Sequence, residues 1–392
     1  MDRSFLFDAI SSLPHLLWDT ALPMEELTEN RPFRNAGDLL VKRSPLNREA
    51  LRLCGCEPAI QNHETSDYEC FAALCMATPL LVGHRAATAT GILLKEVFGL
   101  ETPLSPYQTE ELWAVLNEII EDRALRPSDV AEALNVESIC YRCDPLISPA
   151  PLTFGQVDVY PIFDLASPLS TLASLPSAGQ SMSDAVKELT DRLADFLAAG
   201  CVSVRFTLPK TFRFARNSRK KEVDDLLCRL AEGRALSIEE KNQLLTSLVI
   251  SLSRSITERG LILLLDTEVE EDELIALYDY LALNGSVPET LLCTPLPASY
   301  RTFFARHTVR TKKGLPSLLP VGEDFRTLAV SFPVGTAVLP CGTVCDTVSL
   351  AEEFRQREAL TEALAAFDAE PDALASLAED VVYGNIKNRF SI

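Results

Sequence analysis

Seven charged residues lie at or just beyond the carboxyl ends of short apolar segments that are typical of buried strands. They are Asp19, Arg142, Asp144, Asp164, Arg205, Asp266 and Asp346. A carboxylate can exchange protons with a substrate, and a guanidinium group binds carboxylate or phosphate anions. We therefore interpret Asp164 and Asp266 as candidate catalytic acid–base residues. The other five are candidate ligand-binding residues, with Arg142 or Arg205 binding an anion.

The same alternation of acids and bases also has a purely structural interpretation. A buried charge is costly unless it is paired, so these residues could neutralise one another as salt bridges. The residue types favour this interpretation over a redesigned polar pocket, and the two remain open. The position of Asp346 depends on how the segment Gly342–Asp346 is aligned with the last predicted strand.

The cysteines form two close pairs, Cys140 with Cys143 and Cys341 with Cys345. Two such pairs can bind zinc as thiolates, but zinc-binding pairs usually lie on turns, whereas Cys140 falls inside a predicted strand. Buried structural cysteines are therefore the preferred interpretation. The chain has only 4 histidines, which further restricts any metal site, and we expect no resident metal. The odd total of 11 cysteines favours a reducing, cytoplasmic location.

Short apolar segments alternate with longer helical patterns along most of the chain. The candidate strands are residues 13–18, 136–140, 157–163, 201–207, 261–265, 290–293, 315–319 and 336–339. The order of strand then helix predicts an α/β fold with a parallel sheet, and eight units predict a closed (β/α)8 TIM-type barrel. An open doubly wound sheet is the alternative. Residues 24–130 show helical patterns only, so we expect a helical insertion after strand 1 that covers the mouth of a barrel made by residues 1–23 and 131–392.

The charge balance limits the classes of partner. The net charge is −20, and such an acidic surface repels nucleic acid and anionic membranes. The sequence contains no run of 18 apolar residues and no signal-peptide pattern at its start, so neither a membrane span nor a leader is predicted. The basic run at residues 213–221 stands out in this acidic chain. It is typical of a solvated loop or helix start, and an anion-binding lid is the alternative.

Several segments, in the same order along nearly the whole chain, resemble the uronate isomerase family of amidohydrolase-type barrels. The segments that carry this resemblance are residues 19–27, 44–52, 65–100, 159–164, 200–206, 287–292 and 378–385. The resemblance implies the barrel fold and an aldose–ketose isomerisation of D-glucuronate to D-fructuronate. It also implies a divalent metal such as zinc, and a sugar acid as the substrate class.

The residues that carry the chemistry of that family are replaced at the matching positions. The two metal-binding histidines of the first motif correspond to Asp19 and Ala21. The arginine that is expected to hold the substrate carboxylate corresponds to Asp164, and a histidine near strand five corresponds to Asp266. The resemblance therefore implies the scaffold without its usual metal ligands or its substrate clamp.

We accordingly expect a non-catalytic member of this family that binds a ligand or a partner. The ligand class is a small sugar acid or a related molecule, and family members suggest self-association into a homo-oligomer. One alternative is an enzyme of altered chemistry that uses the acidic strand ends. Another is an active glucuronate isomerase.

Overall fold

The computed structural model describes residues 3–56, 65–216, 218–294, 297–311, 316–321, 325–341 and 344–392, apart from the side chains of Arg3, Thr327 and Val330. The chain divides into two compact units. The first unit comprises Met1–Tyr141, Leu152–Val159 and Cys341–Tyr383. The second comprises Arg142–Pro151, Tyr160–Pro340 and Gly384–Ile392. Each unit is described by itself below.

The described residues contain seven strands in an α/β fold, and the described strand pairs are parallel. The strands are β1 His15–Thr20, β2 Val136–Cys143, β3 Asp158–Leu165, β4 Ser203–Leu208, β5 Ile262–Thr267, β6 Glu289–Cys293 and β7 Leu318–Val321. In the first unit β1 pairs with β2. In the second unit β3 to β7 pair in chain order. The parallel α/β class predicted from the sequence is confirmed, with strand ends displaced by a few residues.

The eighth predicted strand, residues 336–339, is reduced to a single parallel bridge between Val338 and Val321 in the described part of the second unit. A short 3-10 turn, Val334–Thr336, occupies the preceding residues, and Pro333 and Pro340 flank the segment. Proline has no amide hydrogen to donate to a sheet, so prolines on both sides of this segment oppose a longer ladder. The first residue of predicted strand seven, Leu315, lies outside the described residues.

Helices connect the strands and cover them. The helices are α1 Arg3–Ser11, α2 Met24–Glu29, α3 Pro45–Leu53, α4 Asp67–Ala77, α5 Arg85–Phe98, α6 Thr109–Arg123, α7 Pro127–Ala133, α8 Pro168–Ser174, α9 Met182–Ala198, α10 Lys220–Ala231, α11 Ile238–Arg259, α12 Glu271–Leu283, α13 Arg301–His307, α14 Phe325–Ser331, α15 Glu352–Leu364, α16 Pro371–Glu379 and α17 Asn385–Phe390. Two short π-helical segments, Asp38–Lys42 and Asp380–Gly384, interrupt this pattern. The described residues between β1 and β2 form helices and no strand.

Local sequence signals explain where several helices begin. Ser66 and Glu69 form a capping box at the start of α4, and Ser237 and Glu240 do the same for α11. In each box the serine hydroxyl accepts a hydrogen bond from the glutamate amide, and the glutamate side chain accepts one from the serine amide. These reciprocal bonds satisfy amide groups that a helix start otherwise leaves unpaired.

No single helix in the described ranges is long and apolar enough to cross a membrane. One bent pair of segments, Asp67–Leu80 with Arg85–Phe98, meets the length and composition criteria only when the two are taken together. The two segments are inclined by 116°.

Candidate functional site

The seven predicted site residues fall into both units. Asp19 and Asp346 belong to the first unit. The second unit contains the remaining five, Arg142, Asp144, Asp164, Arg205 and Asp266. The structure groups three of these five directly, and it gives each of the others a different local environment.

Asp164, Arg205 and Asp266 form one ion-pair cluster, which we call the Arg205 cluster. Arg205 donates from one guanidinium nitrogen to Asp164 Oδ1 at 3.2 Å, and from the other to Asp266 Oδ2. The exposed fraction of the side chain is 11% for Arg205, 14% for Asp164 and 37% for Asp266. The guanidinium is thus held between two carboxylates, one mostly buried and one open to solvent.

Strand register explains why these three side chains meet. Asp164 on β3 is directly paired with Arg205 on β4. Arg205 is in turn paired with Leu264 on β5, and Asp266 lies two residues beyond Leu264. Side chains two residues apart on a strand point to the same face, so all three project from one face of the sheet near the carboxyl ends of the strands. Active sites of parallel α/β folds lie at that end.

Arg142 and Asp144 flank Cys143 at the end of β2. Arg142 is half-buried, and Asp144 is exposed and accepts a hydrogen bond from the Leu146 amide at 2.8 Å. Burial raises the pKa of the Cys143 thiol to about 11, and the negative charges of Asp144 and Asp164 add to the effect. The thiol is therefore protonated at neutral pH, which makes it a poor nucleophile and a poor metal ligand.

Asp19 is buried near the end of β1 in the first unit. Its backbone amide donates to the sulfur of Cys341 at 3.1 Å. Burial raises the pKa of Cys341 well above its ordinary value, and the negative charge of Asp19 acts in the same direction. Cys341 is thus a neutral, structural thiol, as the sequence predicted, and all 11 cysteines are free of disulfides.

Asp346 is buried and surrounded by protein donors. One carboxylate oxygen accepts from the Leu46 amide at 2.9 Å and from the Ser44 hydroxyl at 3.2 Å. The other accepts from the Ser349 amide at 2.7 Å. Burial raises the pKa of Asp346 although these hydrogen bonds oppose the rise. Asp346 thereby links the start of α3 to the turn before α15, and this explains its position without any ligand.

A small cavity lies at the carboxyl ends of β4, β5 and β6. Its volume is about 240 Å³, and it is lined by Lys210, residues 268–271, Thr294, Ser299 and Tyr300. Tyr300 donates its hydroxyl to the Val269 carbonyl at 2.6 Å, which orders the wall that follows β5. Its lining residues follow β4, β5 and β6 in the chain, at the end of the strands where parallel folds place their ligands.

A second charged group, the Arg357 cluster, was not anticipated from the sequence. It consists of His15, Glu353 and Arg357, all buried in the first unit. His15 Nδ1 lies 3.2 Å from Glu353 Oε2, and Arg357 lies 3.5 Å from Glu353 Oε1. Arg357 also donates to three backbone carbonyls of residues 10–14 at 2.6–2.8 Å. In the sequence, the only sign of this cluster is the four-residue spacing of Glu353 and Arg357, which lie on one helix. That spacing is equally typical of an exposed ion pair on a helix surface.

The protonation states within the Arg357 cluster follow from burial and charge. Desolvation lowers the pKa of His15, although the nearby Glu353 opposes this shift. Burial disfavours ionisation of Glu353, but His15 and Arg357 outweigh it and lower the pKa of this carboxyl. Glu353 is therefore ionised, Arg357 carries the balancing positive charge, and His15 is neutral at pH 7.

The donor groups do not fit a resident divalent metal of the kind that the family resemblance implies. Throughout the described ranges, no three His, Cys, Asp or Glu side chains are placed so that they could hold a metal ion together. Position 21 is an alanine, and the Asp346 carboxylate is already surrounded by protein donors. We therefore derive no chemical step through a metal.

Comparison with known proteins gives a consistent family assignment. Residues 2–150 match the family model described as glucuronate isomerase. A uronate isomerase of Salmonella arizonae is 27% identical over 260 residues, covering 61% of this chain and 55% of that protein. The uronate isomerase of Salmonella typhi is 25% identical over 261 residues with the same coverage. These alignments thus span about half the length of the curated relatives.

Solved structures match over almost the entire chain. The uronate isomerase of Thermotoga maritima superimposes with a TM-score of 0.80 at 14% identity, covering 100% of this chain and 98% of that one. The glucuronate isomerase of Caulobacter crescentus gives 0.80 at 15% identity, covering 99% and 93%. At such low identity these matches establish the fold alone.

Proposed function

Because the chain belongs to the uronate isomerase family, we propose that it is a member that has lost the usual metal-dependent isomerisation of D-glucuronate to D-fructuronate. It acts instead as a non-catalytic barrel that binds a small sugar acid, a related ligand or a partner. The observation that carries this proposal is the Arg205 cluster. In it, both candidate acid–base residues are already bound to one guanidinium group.

Isomerisation of a sugar acid requires a base that moves a proton between neighbouring carbons and a group that stabilises the enediolate. One oxygen of Asp164 and one oxygen of Asp266 each contact a different guanidinium nitrogen of Arg205. A guanidinium bound by two carboxylates is poorly suited to hold the carboxylate of a substrate as well. This arrangement supports the structural interpretation of the alternating charges.

The metal content and the turnover of the purified protein test this proposal together. Protein expressed with added zinc and then dialysed should contain far less than one divalent ion per chain. It should also convert neither D-glucuronate nor D-galacturonate above the rate without protein. The Caulobacter crescentus relative, assayed in parallel, is the positive control. Stoichiometric metal together with turnover would refute the proposal and favour an active glucuronate isomerase, which the family comparisons also support.

A second candidate function is an enzyme of altered chemistry that acts on a sugar acid at the strand ends. The cavity beside Tyr300 favours it, because it combines one cation, Lys210, with the carboxylates of Glu268, Glu270 and Glu271. Lys210 Nζ lies 3.9 Å from the carboxylate of Glu268, so the cation is only loosely paired. Stabilisation against heat by D-glucuronate that is lost in Lys210→Gln would favour this candidate. Equal stabilisation by neutral glucose would exclude it.

The proposal also covers the closure of the barrel, the helical insertion, the location of the protein and its partners. We propose a closed eight-stranded barrel in which the segment around Val338 takes the place of strand eight, with residues 24–130 as a helical insertion over its mouth. The strand order and the solved relatives support it. A cytoplasmic location is supported by the free cysteines, and the net charge of −20 supports the exclusion of nucleic acid and membranes as partners. Self-association into a homo-oligomer is part of the same proposal.

A further inference from the structure

A cavity in the second unit lies among helices, and none of its lining residues belongs to the Arg205 cluster. Its volume is about 420 Å³, within the range of pockets that bind small ligands. Residues of α9, α10, α11 and α12 line it together with Ala215, Arg216 and Ser218 from the basic run. The sequence of this run has an anion-binding interpretation that the Arg205 cluster does not explain.

The charged residues of this cavity are two cations, Arg216 and Lys220. Both are exposed, and neither forms an ion pair with any carboxylate in the part of the chain that the structure describes. Two other arginines of the same run do have acidic partners. Arg213 lies 3.6 Å from Glu273, and Arg219 lies 3.7 Å from Glu222. Lys221, the remaining cation of the run, also forms no ion pair among the described residues, but it does not line the cavity. Arg216 and Lys220 are thus the cations without acidic partners that border the cavity.

Two acidic side chains lie near the starts of the neighbouring helices, and both accept hydrogen bonds from protein donors without lining the cavity. Asp224 accepts a hydrogen bond from the Met182 amide at 2.8 Å, and Asp184 accepts one from the Ser181 hydroxyl at 2.5 Å. None of the described residues that line the cavity is acidic. In a chain with a net charge of −20, a cavity whose charged lining residues are both cations is unusual and favours an anionic ligand.

The rest of the wall supplies hydroxyl groups beside an apolar surface. The hydroxyl-bearing residues of the lining are Ser183, Ser218, Thr246, Ser247, Ser251 and Tyr280. The Thr246 hydroxyl also accepts a hydrogen bond from the Ala215 amide at 3.1 Å. The Tyr280 and Phe214 rings pack together with their centroids 5.7 Å apart. These contacts hold Phe214 and Ala215 against α11 and α12. The wall is thus held in place by the protein itself.

We propose that this cavity binds a phosphate monoester of a small polyol, such as a sugar phosphate. A phosphate monoester carries a charge of about −1.5 to −2 at neutral pH, which matches two cations, whereas a monocarboxylate would leave one cation without a counter-charge. The serine and threonine hydroxyls can exchange hydrogen bonds with the hydroxyls of the polyol. This site is separate from the Arg205 cluster, so the proposal stands or falls independently of whether the chain is catalytic.

Isothermal titration of the full chain with glucose 6-phosphate tests the proposal. We expect saturable binding of glucose 6-phosphate, weaker binding of inorganic phosphate and of D-glucuronate, and no binding of glucose. Binding should strengthen as the pH rises through about 6, because the ester then loses its second proton. The double variant Arg216→Gln/Lys220→Gln should weaken binding by about tenfold or more, since two charge-assisted contacts are lost.

Arg219→Gln is the matched control, because Arg219 belongs to the same exposed run but does not line the cavity. It should leave the dissociation constant unchanged. A second test is Ser247→Phe, which adds an uncharged ring inside the cavity and should abolish binding while the circular dichroism spectrum is retained. Should that variant fail to fold, the two glutamine substitutions at exposed positions decide alone. Absent binding to the natural chain, or equal weakening by Arg219→Gln, would overturn the proposal.

Discussion

The Arg205 cluster and the Arg357 cluster each place one guanidinium against carboxylate oxygens, yet the two clusters differ in burial and in the other groups that the guanidinium contacts. The Arg357 cluster is almost fully enclosed, and its guanidinium also holds the backbone carbonyls of residues 10–14. The Arg205 cluster lies near the carboxyl ends of its strands, and the Asp266 side chain is 37% exposed. The first arrangement serves the fold, while the second remains accessible to solvent.

The two clusters show that charged residues near strands can either stabilise the fold or remain accessible to solvent. A buried charged side chain needs all of its charged and hydrogen-bonding partners, because an uncompensated buried ion strongly destabilises the folded protein. An exposed ion pair contributes little to stability, because water screens it. The two clusters should therefore respond to mutation on very different energy scales, and that contrast can be measured.

The largest effect is expected from Arg357→Met, which keeps the bulk of the side chain and removes its charge. Glu353 would lose its balancing cation, and three backbone carbonyls would lose their donor. We expect the free energy of unfolding to fall by about 3–5 kcal/mol in urea denaturation. Glu358→Gln, at an exposed position of the same helix, is the control and should change it by less than about 0.5 kcal/mol. A loss below about 1 kcal/mol for Arg357→Met would contradict the role assigned to this cluster.

An intermediate effect is expected from Arg205→Met. The mostly buried carboxylate of Asp164 would lose its cation, whereas Asp266 can be solvated. We expect a loss of about 1–3 kcal/mol in the free energy of unfolding. The double variant Asp164→Asn/Arg205→Met should lose less than the sum of the two single variants, because both partners are then removed. Strict additivity of the two substitutions would show that the pair is not coupled.

The framework of the fold could be predicted because its signals are local. Apolar runs bounded by proline, glycine or charge mark strands, and serine–glutamate pairs mark helix starts such as Ser66 and Ser237. The eighth strand was harder to predict. Its apolar residues fit a strand, but the flanking prolines and the 3-10 turn before Ala337 reduce it to one bridge. Whether a short segment completes a sheet depends on neighbours that the segment itself does not encode.

The site could be predicted only in part. The charges at the strand ends are visible in the sequence, but the pairing of Arg205 with both carboxylates depends on the register of three strands that lie far apart in the chain. Asp346 shows the same limitation. It was interpreted as a ligand-binding residue, and the structure surrounds it with donors from Ser44, Leu46 and Ser349. Contacts over some 300 residues cannot be deduced from local patterns.

The pH dependence of stability distinguishes the two clusters further. Because the pKa of His15 is lowered by burial, the unfolded chain binds a proton here more readily than the folded chain does. The contribution of His15 to stability is therefore present above its unfolded pKa of 6.5 and is lost as the pH falls from 6.5 toward the folded pKa. The slope for one proton is at most about 1.4 kcal/mol per pH unit.

His15→Gln should remove the fall in the free energy of unfolding that occurs below pH 6.5 in the natural chain. At pH 8, the same substitution should lower the free energy of unfolding by less than Arg357→Met does. Urea denaturation at a series of pH values measures it. The Asp164→Asn variant serves as the control and should leave the slope due to His15 unchanged, since Asp164 belongs to the other cluster. An unchanged slope in His15→Gln would show that another group is responsible.

The smallest effect is expected from Asp266→Asn. Its carboxylate is the more exposed partner of Arg205, and Arg205 would keep its ion pair with Asp164 after the substitution. We expect a change below about 1 kcal/mol in the free energy of unfolding, less than that of Asp164→Asn. This order is the sharpest test of the comparison between the clusters, because both acids contact the same guanidinium. If Asp266→Asn cost more than Asp164→Asn, the carboxyl ends of these strands would behave like the enclosed Arg357 cluster.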